Sequence, residues 1–338
     1  MTTAPTRVSV SDPGEFLSTI PMLLGFQPDS GDVVMTGLSD RGRVVVGMRF
    51  PQPAADDFTV PHLAPVLSNI IDAGVREVMI TAYGPGQQVT PAVDKLVAVV
   101  GQVMPVRDAL RVEGDRYWSY ACQDAECCPP EGRQFRAETQ ATTKLRVDAG
   151  LTAESSRDKL AERFAAPTGE QAEAAQRAWT EATATPLSVP DGRAAVDQAL
   201  ADCRDGKALD TTKAAQLAQA MTMLPVRDHA WALMQPEHAE AHTGLWSDVL
   251  RHIPPEASAA PASLLAFTAW QKGEGALGNL AVDRALEADP GYSMARLIGQ
   301  ALTAGAPPEM AVLPMTPAEV AASYERQAEL ETDREIEL

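Results

Sequence analysis

Three of the chain's four cysteines lie within seven residues, at Cys122, Cys127 and Cys128. Cysteine thiolates bind zinc, and pairs of thiols form disulfides, so this cluster could hold a metal or act as a redox pair. A structural zinc site usually takes its ligands from C-x₂₋₄-C pairs. The spacing here is C-x₄-C-C, so a fourth ligand would have to come from a distant part of the chain.

Two other interpretations stay open beside zinc. One is a disulfide or redox pair that joins Cys122 to Cys127 or Cys128. The other is a compact turn whose small thiols are buried under Trp118. We favour the packed turn and predict no cofactor, and zinc bound by the three cysteines remains the alternative. Arg116 and Trp118 complete this set of structural or redox candidates.

The run Arg116–Ala121 leads directly into the cluster and is rich in aromatic residues. If it forms a strand, its side chains alternate between two faces, and Trp118 shares a face that Cys122 continues. Pro129-Pro130 stiffens the chain just after the last cysteine. We therefore predict that at least one of the two later cysteines lies within disulfide reach of Cys122, with a Cα–Cα distance under about 7 Å.

Other sequence features offer weaker chemistry. His238 and His242 have the i, i+4 spacing of a metal-ligand pair, but Glu237 precedes them instead of lying between them as in H-E-x-x-H. We predict an exposed helix face there. Gly84-Pro85-Gly86 occupies the place of a phosphate loop, between a strand and a helix, but it has no third glycine and no nearby lysine. A tight turn is the better interpretation, and no catalytic residue can be nominated.

The net charge of −18 excludes some partners. The chain has 46 acidic and 28 basic residues and no run of Lys or Arg that would form a basic groove. Because such a surface repels phosphate backbones, we predict no nucleic-acid binding. A partner that is steered by charge would be basic.

The sequence also indicates a compartment. The N-terminal stretch has no apolar segment after a basic start, so it does not resemble a secretory signal. No apolar stretch approaches the roughly 18 residues of a membrane span, so we predict no membrane association. A cytoplasmic location follows, and a reducing cytoplasm disfavours a disulfide framework.

The N-terminal half alternates strand and helix signals, and this pattern predicts an α/β domain with a mixed sheet and flanking helices. Its first helix begins at Asp12 and Pro13 and is limited by Pro21. The strands that follow are predicted at 32–38, 43–50, 77–83, 106–112 and 116–121. Two helices are predicted at 61–73 and 90–100, and Thr90 is the predicted cap of the second.

From about residue 150 the strand signals stop, and the pattern predicts an all-α helical array. The clearest helices are Arg193–Cys203, Thr211–Met223, Glu237–His252, Pro261–Lys272, Ala276–Ala288 and Met294–Ala304. One hairpin resembles a tetratricopeptide unit in the positions of its small residues and prolines, at Leu265, Ala266, Ala269, Gly273, Ala285 and Pro290. A single copy cannot form a solenoid, which needs at least about three repeats.

These patterns divide the chain into four parts. Residues 8–150 form the mixed α/β domain with its Cys-rich loop, and residues 151–190 form a helical or linker segment. Residues 191–312 form the helical array, and residues 313–338 form an acidic helical tail.

Several motifs occur in a fixed order along the chain. They are LLGFQP (23–28), RYWSYAC…CCPPEG (116–132), LPVRDHAW (224–231), LW (245–246) and GEGALGNLAVDRALEADPGYSMARL (273–297). Together they resemble an uncharacterised domain-of-unknown-function family of actinobacterial proteins, over about residues 8–308. The resemblance implies no activity. Outside the cysteine loop, the resemblance adds six motif residues as candidate site residues: Gly25, Phe26, Pro28, Arg227, Asp228 and Trp246.

The sequence leaves the biochemical function unknown. The prediction that we favour is a non-catalytic cytoplasmic protein that interacts with or regulates a protein partner, with homo-oligomers possible. One alternative is an enzyme or small-ligand-binding protein with a site near Trp118 and Cys122. Another is a thiol redox or metal sensor.

Overall fold

The computed structural model of the protein describes residue 10 and residues 12–336, with side chains described through residue 327. Residues 8–9, where the first predicted part begins, and residues 337–338, where the last one ends, lie outside the described residues. The chain divides into two compact units. The first comprises Met1–Leu160 and Thr303–Pro307, and the second comprises Ala161–Leu302 and Pro308–Leu338.

The first unit is built on a six-stranded mixed sheet, which confirms the predicted fold class. Its elements are α1 (Pro13–Leu24), β1 (Val33–Leu38), β2 (Val44–Phe50), α2 (Val60–Asp72), β3 (Glu77–Tyr83), α3 (Gly86–Val100), β4 (Val106–Glu113), β5 (Arg116–Ser119), β6 (Arg133–Gln134), α4 (Gln140–Ala149) and α5 (Arg157–Ala161). The strand order is β2-β1-β3-β4-β5-β6. β3 and β4 are parallel, and the other neighbouring strands are antiparallel.

The core of this unit lies where the sheet meets α2 and α3. Side chains alternate along β3, so Val78, Ile80 and Ala82 point to the same face and are fully buried. The apolar stripe of α2 covers this face with Leu63, Leu67 and Ile70, and α3 adds Val93 and Leu96 to the same core. α3 also packs on β4, which pairs with β5.

Two predicted helix boundaries in this unit are wrong. α1 continues through Pro21 to Leu24, where Gly25 with φ of +82° ends it. Pro21 cannot donate a backbone hydrogen bond, but the helix continues past it, and Met22 and Leu24 beyond it are buried. α3 begins at Gly86 rather than after Thr90, whose hydroxyl lies 2.9 Å from the Tyr120 hydroxyl instead of capping the helix.

The second unit is a helical array, as predicted. Its helices are α6 (Gly169–Ala184), α7 (Val189–Arg204), α8 (Thr211–Ala220), α9 (Leu224–Ala232), α10 (Ala239–His252), α11 (Ala259–Gln271), α12 (Gly275–Ala288), α13 (Ser293–Thr303) and α14 (Pro317–Ile336). α9 is not among the predicted helices, because a proline near the start of a segment also fits a break between helices. Pro225 lies in the first turn, where a proline needs no N–H donor. None of the helices in the described part of the chain is long and apolar enough to cross a membrane.

α11 and α12, the pair with tetratricopeptide-like spacing, pack directly on each other. Gly273, with φ of +72°, makes the turn between them. A Cβ on Gly278 would lie 3.5 Å from the Ala266 carbonyl oxygen and 3.7 Å from the Ala269 Cβ. Small residues therefore allow these two helices to approach closely.

Candidate metal centre

The cysteine loop leaves the sheet at the end of β5, where a short hydrogen-bond chain fixes its first residues. Ser119 donates its hydroxyl proton to Asp108 Oδ1 of β4 at 2.8 Å. The same Ser119 oxygen accepts the backbone N–H groups of Ala121 at 3.1 Å and Cys122 at 3.0 Å. The backbone of Cys122 is therefore held at a defined position beside the sheet.

Trp118 anchors the other end of the loop. Its indole N–H donates to the Pro130 carbonyl oxygen at 2.9 Å, and the Arg111 guanidinium stacks 3.7 Å from its ring centroid. Gly132 crosses the ring so closely that a Cβ there would lie 2.5 Å from Trp118 Cε2. The indole is therefore occupied by the chain's own residues. These contacts weaken the interpretation of a small-ligand site at Trp118.

Two arginines close the loop through main-chain oxygens. Arg116 of β5 donates to the carbonyl oxygens of Gly132 at 2.9 Å and Glu131 at 3.2 Å. Arg133 of β6 donates to the Cys127 carbonyl oxygen at 3.3 Å. Because both arginines lie on strands of the sheet, the sheet determines the path of the loop and not only its ends.

The three cysteines of the loop converge. Their Sγ atoms all lie within 4.8 Å of one another, and this is a group that could hold a metal ion. A tetrahedral zinc ion with Zn–S bonds of about 2.3 Å holds its sulfurs about 3.8 Å apart, so the group needs only small rotations to bind one. No other His, Cys, Asp or Glu side chain of the described residues belongs to this group.

The thiols are not buried as the packed-turn interpretation requires. Cys127 is exposed, and Cys122 and Cys128 are half-buried. All three are free thiols, as is Cys203, which lies on α7 in the second unit. The cysteines of the loop are therefore partly exposed to solvent, Cys127 most of all.

The sulfurs also differ in acidity. A hydrogen bond from the Cys128 thiol and another from the Asp124 backbone N–H lower the pKa of Cys122. The same Cys128–Cys122 hydrogen bond, with partial burial, raises the pKa of Cys128 to about 12. Cys122 therefore ionises before Cys128, and a metal that binds here must displace the proton of Cys128.

The motif residues Gly25, Phe26 and Pro28 have a structural role in the first unit. Gly25 ends α1, and Phe26 and Pro28 are buried. The ring of Phe26 lies 5.3 Å from the Arg49 guanidinium. Arg49 in turn donates two hydrogen bonds, at 2.6 and 2.9 Å, to Asp32, which has no exposed surface. Phe26 of the motif thus packs against an ion pair whose carboxylate is fully buried.

The motif residues of the second unit are also engaged with one another. Arg227 donates to Asp228 Oδ1 at 2.6 and 2.8 Å and to the Tyr292 hydroxyl at 3.4 Å. The Tyr324 hydroxyl of α14 donates to the other Asp228 oxygen at 2.5 Å. Trp246 of α10 has no exposed surface. These contacts join helices, and none of these residues belongs to the sulfur group.

The two histidines at i, i+4 do not form a ligand pair. His238 is exposed and precedes α10, but His242 is fully buried, so the predicted exposed face is wrong for His242. Its Nε2–H donates to the Leu233 carbonyl oxygen at 3.2 Å. Burial lowers the pKa of His242 to about 4, so the imidazole is neutral at neutral pH.

Sequence reasoning missed the residues that hold the loop: Asp108, Arg111, Ser119, Gly132 and Arg133. Two signals could have identified part of this set. Asp108 is a charged residue inside a predicted strand, where a partner is required if the side chain is buried. Gly132 directly follows the proline-stiffened turn, where a positive φ favours glycine, and its φ is +77°.

A family model described as Domain of unknown function (DUF4192) matches residues 13–309, which is most of the chain. No curated protein and no solved structure matches the chain.

Proposed function

The chain belongs to the DUF4192 family, and we propose that it binds a thiophilic divalent metal ion, zinc foremost, through Cys122, Cys127 and Cys128. The observation that carries the proposal is the convergence of three Sγ atoms within 4.8 Å. Thiolates of this kind are ligands that zinc favours over the oxygen ligands of calcium and magnesium.

The loop supports the proposal because its own hydrogen bonds organise it. A hydrogen bond from the Cys122 N–H to Ser119, and hydrogen bonds donated by Trp118, Arg116 and Arg133, fix the backbone on both sides of the sulfurs. A site that is held in this way loses less conformational entropy when it binds than a loop that must first fold. The hydrogen-bond chain from Asp108 through Ser119 to Cys122 orients the first ligand in the manner of an outer coordination shell.

Three protein ligands leave one position of a tetrahedral zinc ion for water or an external ligand. Closed structural sites use four protein ligands, and sites with three are those that exchange a ligand or catalyse a reaction. The exposure of Cys127 gives solvent access to this position. We therefore propose a sensing or exchanging metal site rather than a structural one, in a reducing cytoplasm where free thiols persist.

Metal analysis of the purified full chain tests the proposal. Protein prepared in reducing buffer without chelator is analysed for metal content and then titrated with zinc against a chromophoric chelator. We expect about one zinc per chain, and a loss of affinity of at least about tenfold in Cys122→Ser and Cys128→Ser.

Cys203→Ser is the matched control, because Cys203 is also a half-buried free thiol but lies outside the sulfur group. It should bind zinc like the wild-type chain. Metal-free protein that takes up no zinc in the titration contradicts the proposal. So does zinc binding that is lost in Cys203→Ser and kept in the loop variants.

A further inference from the structure

We infer that the same loop is a site of thiol–disulfide exchange, in which the Cys127 thiolate attacks a low-molecular-weight disulfide and Cys122 then completes an intramolecular disulfide. This inference deepens the proposed function, because it names a regulatory reaction of the metal site. It rests on the positions of the three sulfur atoms and on their different exposure.

Exposure assigns the first step to Cys127. It is the exposed member of the group, whereas Cys122 and Cys128 are half-buried. An exchange reaction begins with the in-line approach of a thiolate to a disulfide, so access decides which of several neighbouring thiols reacts first. Arg133 holds the Cys127 backbone by donating to its carbonyl oxygen at 3.3 Å.

Backbone geometry assigns the second step to Cys122. Cys127 and Cys128 are adjacent, so their Cα atoms are about 3.8 Å apart, which is shorter than the 4.4–6.8 Å that disulfides usually span. Cys122 has no such restriction, and its sulfur already lies within 4.8 Å of that of Cys127. Closing this gap to an S–S bond of about 2 Å requires a movement of about 3 Å, which side-chain rotation supplies.

The reaction balances in two exchanges. The Cys127 thiolate attacks one sulfur of the external disulfide, which forms a mixed disulfide and releases one external thiolate. The Cys122 thiolate then attacks the Cys127 sulfur and releases the second external thiolate. The protein loses two electrons and two protons, and the external disulfide becomes two thiols. The second step is intramolecular, so the nearby sulfur reacts at a high effective concentration.

Oxidation of the loop removes ligands from the metal. The disulfide uses two of the three sulfur ligands, and one remaining thiolate cannot hold zinc at the affinity of three. Oxidation should therefore release the metal, and bound metal should protect the thiols from oxidation. The site would thus couple the thiol redox state of the compartment to metal occupancy.

The experiment uses the full chain, stripped of metal by a chelator, with oxidised glutathione as the probe. Mass spectrometry of quenched samples follows the mixed disulfide and the internal disulfide over time, and peptide mapping locates them. The wild-type chain should form an internal Cys122–Cys127 disulfide with little mixed disulfide.

Two loop variants separate the roles, and Cys203→Ser is the control. Cys122→Ser should accumulate the mixed disulfide on Cys127, because the second step is lost. Cys127→Ser, which keeps only Cys122 and Cys128 in the loop, should form an internal disulfide at least about tenfold more slowly than wild type, and Cys203→Ser, which lies outside the sulfur group, should react within about twofold of wild type. Circular dichroism of each variant confirms that it is folded.

The inference is overturned if the internal disulfide of the wild-type chain maps to Cys127–Cys128, or if Cys127→Ser reacts at the wild-type rate. It is also overturned if no internal disulfide forms while the thiols are alkylated normally. Because this experiment is done without metal, its failure leaves the zinc titration unaffected, and a failed zinc titration leaves the disulfide result unaffected.

Discussion

His242 should make the fold sensitive to acid. The imidazole is fully buried on α10, where burial lowers its pKa to about 4 from 6.5. Between these two values the unfolded chain binds a proton that the folded chain does not bind. The unfolded state is therefore stabilised as the pH falls, and the free energy of unfolding should decrease between about pH 6.5 and pH 4 and be unaffected by this group above that range.

The size of the effect follows from the two pKa values. Since one pKa unit corresponds to about 1.36 kcal/mol, the difference between 6.5 and about 4 amounts to about 3 kcal/mol of unfolding free energy at the acid end. A contribution of this size is a large fraction of the stability of an ordinary domain. Carboxylates of the protein also titrate at acidic pH, so the effect of His242 must be measured as a difference between variants.

Urea unfolding followed by circular dichroism, repeated at several pH values, makes this measurement. His242→Gln keeps an N–H donor for the Leu233 carbonyl oxygen and removes the titrating group. It should flatten the acid decline of the helical unit's stability by about 3 kcal/mol. His238→Gln is the matched control, because His238 is exposed, and it should follow the wild-type curve. Identical pH dependence in wild type and His242→Gln would refute the reasoning.

Two further predictions concern the first unit. Asp32→Asn should lower its unfolding free energy by about 3–5 kcal/mol in urea denaturation, because it leaves the Arg49 guanidinium beside a neutral amide in a buried site. A loss below about 1 kcal/mol would show that the buried pair is not required. Gly132→Ala should weaken zinc binding at least about tenfold, because φ is +77° and the Cβ would strike the Trp118 ring. Gly114→Ala is its control, since φ is +62° but no atom lies within 4 Å of the added Cβ. Equal zinc affinity in both variants would contradict the assigned role of Gly132.

The sequence predicts the architecture well where the pattern is local and periodic. The apolar stripe of α2 at Leu63, Val66, Leu67 and Ile70 fixes a helix that the structure places within one residue of the predicted bounds. The period of two in β3 likewise identifies a strand in a mixed sheet. Prolines caused the errors: Pro21 lies inside a helix and Pro225 in the first turn of one, and the effect of a proline depends on tertiary burial as well as on local geometry.

The candidate site could be only partly predicted. Cysteine spacing identified the cluster but not the convergence of its sulfurs, because convergence depends on bonds from Arg116 and Trp118 to residues more than ten positions away. Spacing also says nothing about exposure, so the predicted burial of the thiols is wrong. The predicted exposed helix face at His238 and His242 is wrong for His242 for the same reason, because the i, i+4 spacing does not show which histidine is buried.

X-ray absorption at the zinc edge of the purified, reduced chain tests the central claim most directly, because it counts the ligand atoms around the metal. The proposal predicts three sulfur atoms at about 2.3 Å and one lighter atom at about 2.0–2.1 Å. Cys128→Ser should lose one sulfur from this shell, and Cys203→Ser should lose none. A shell of nitrogen and oxygen atoms alone, or an unchanged sulfur count in Cys128→Ser, would contradict the assignment of the metal to the loop.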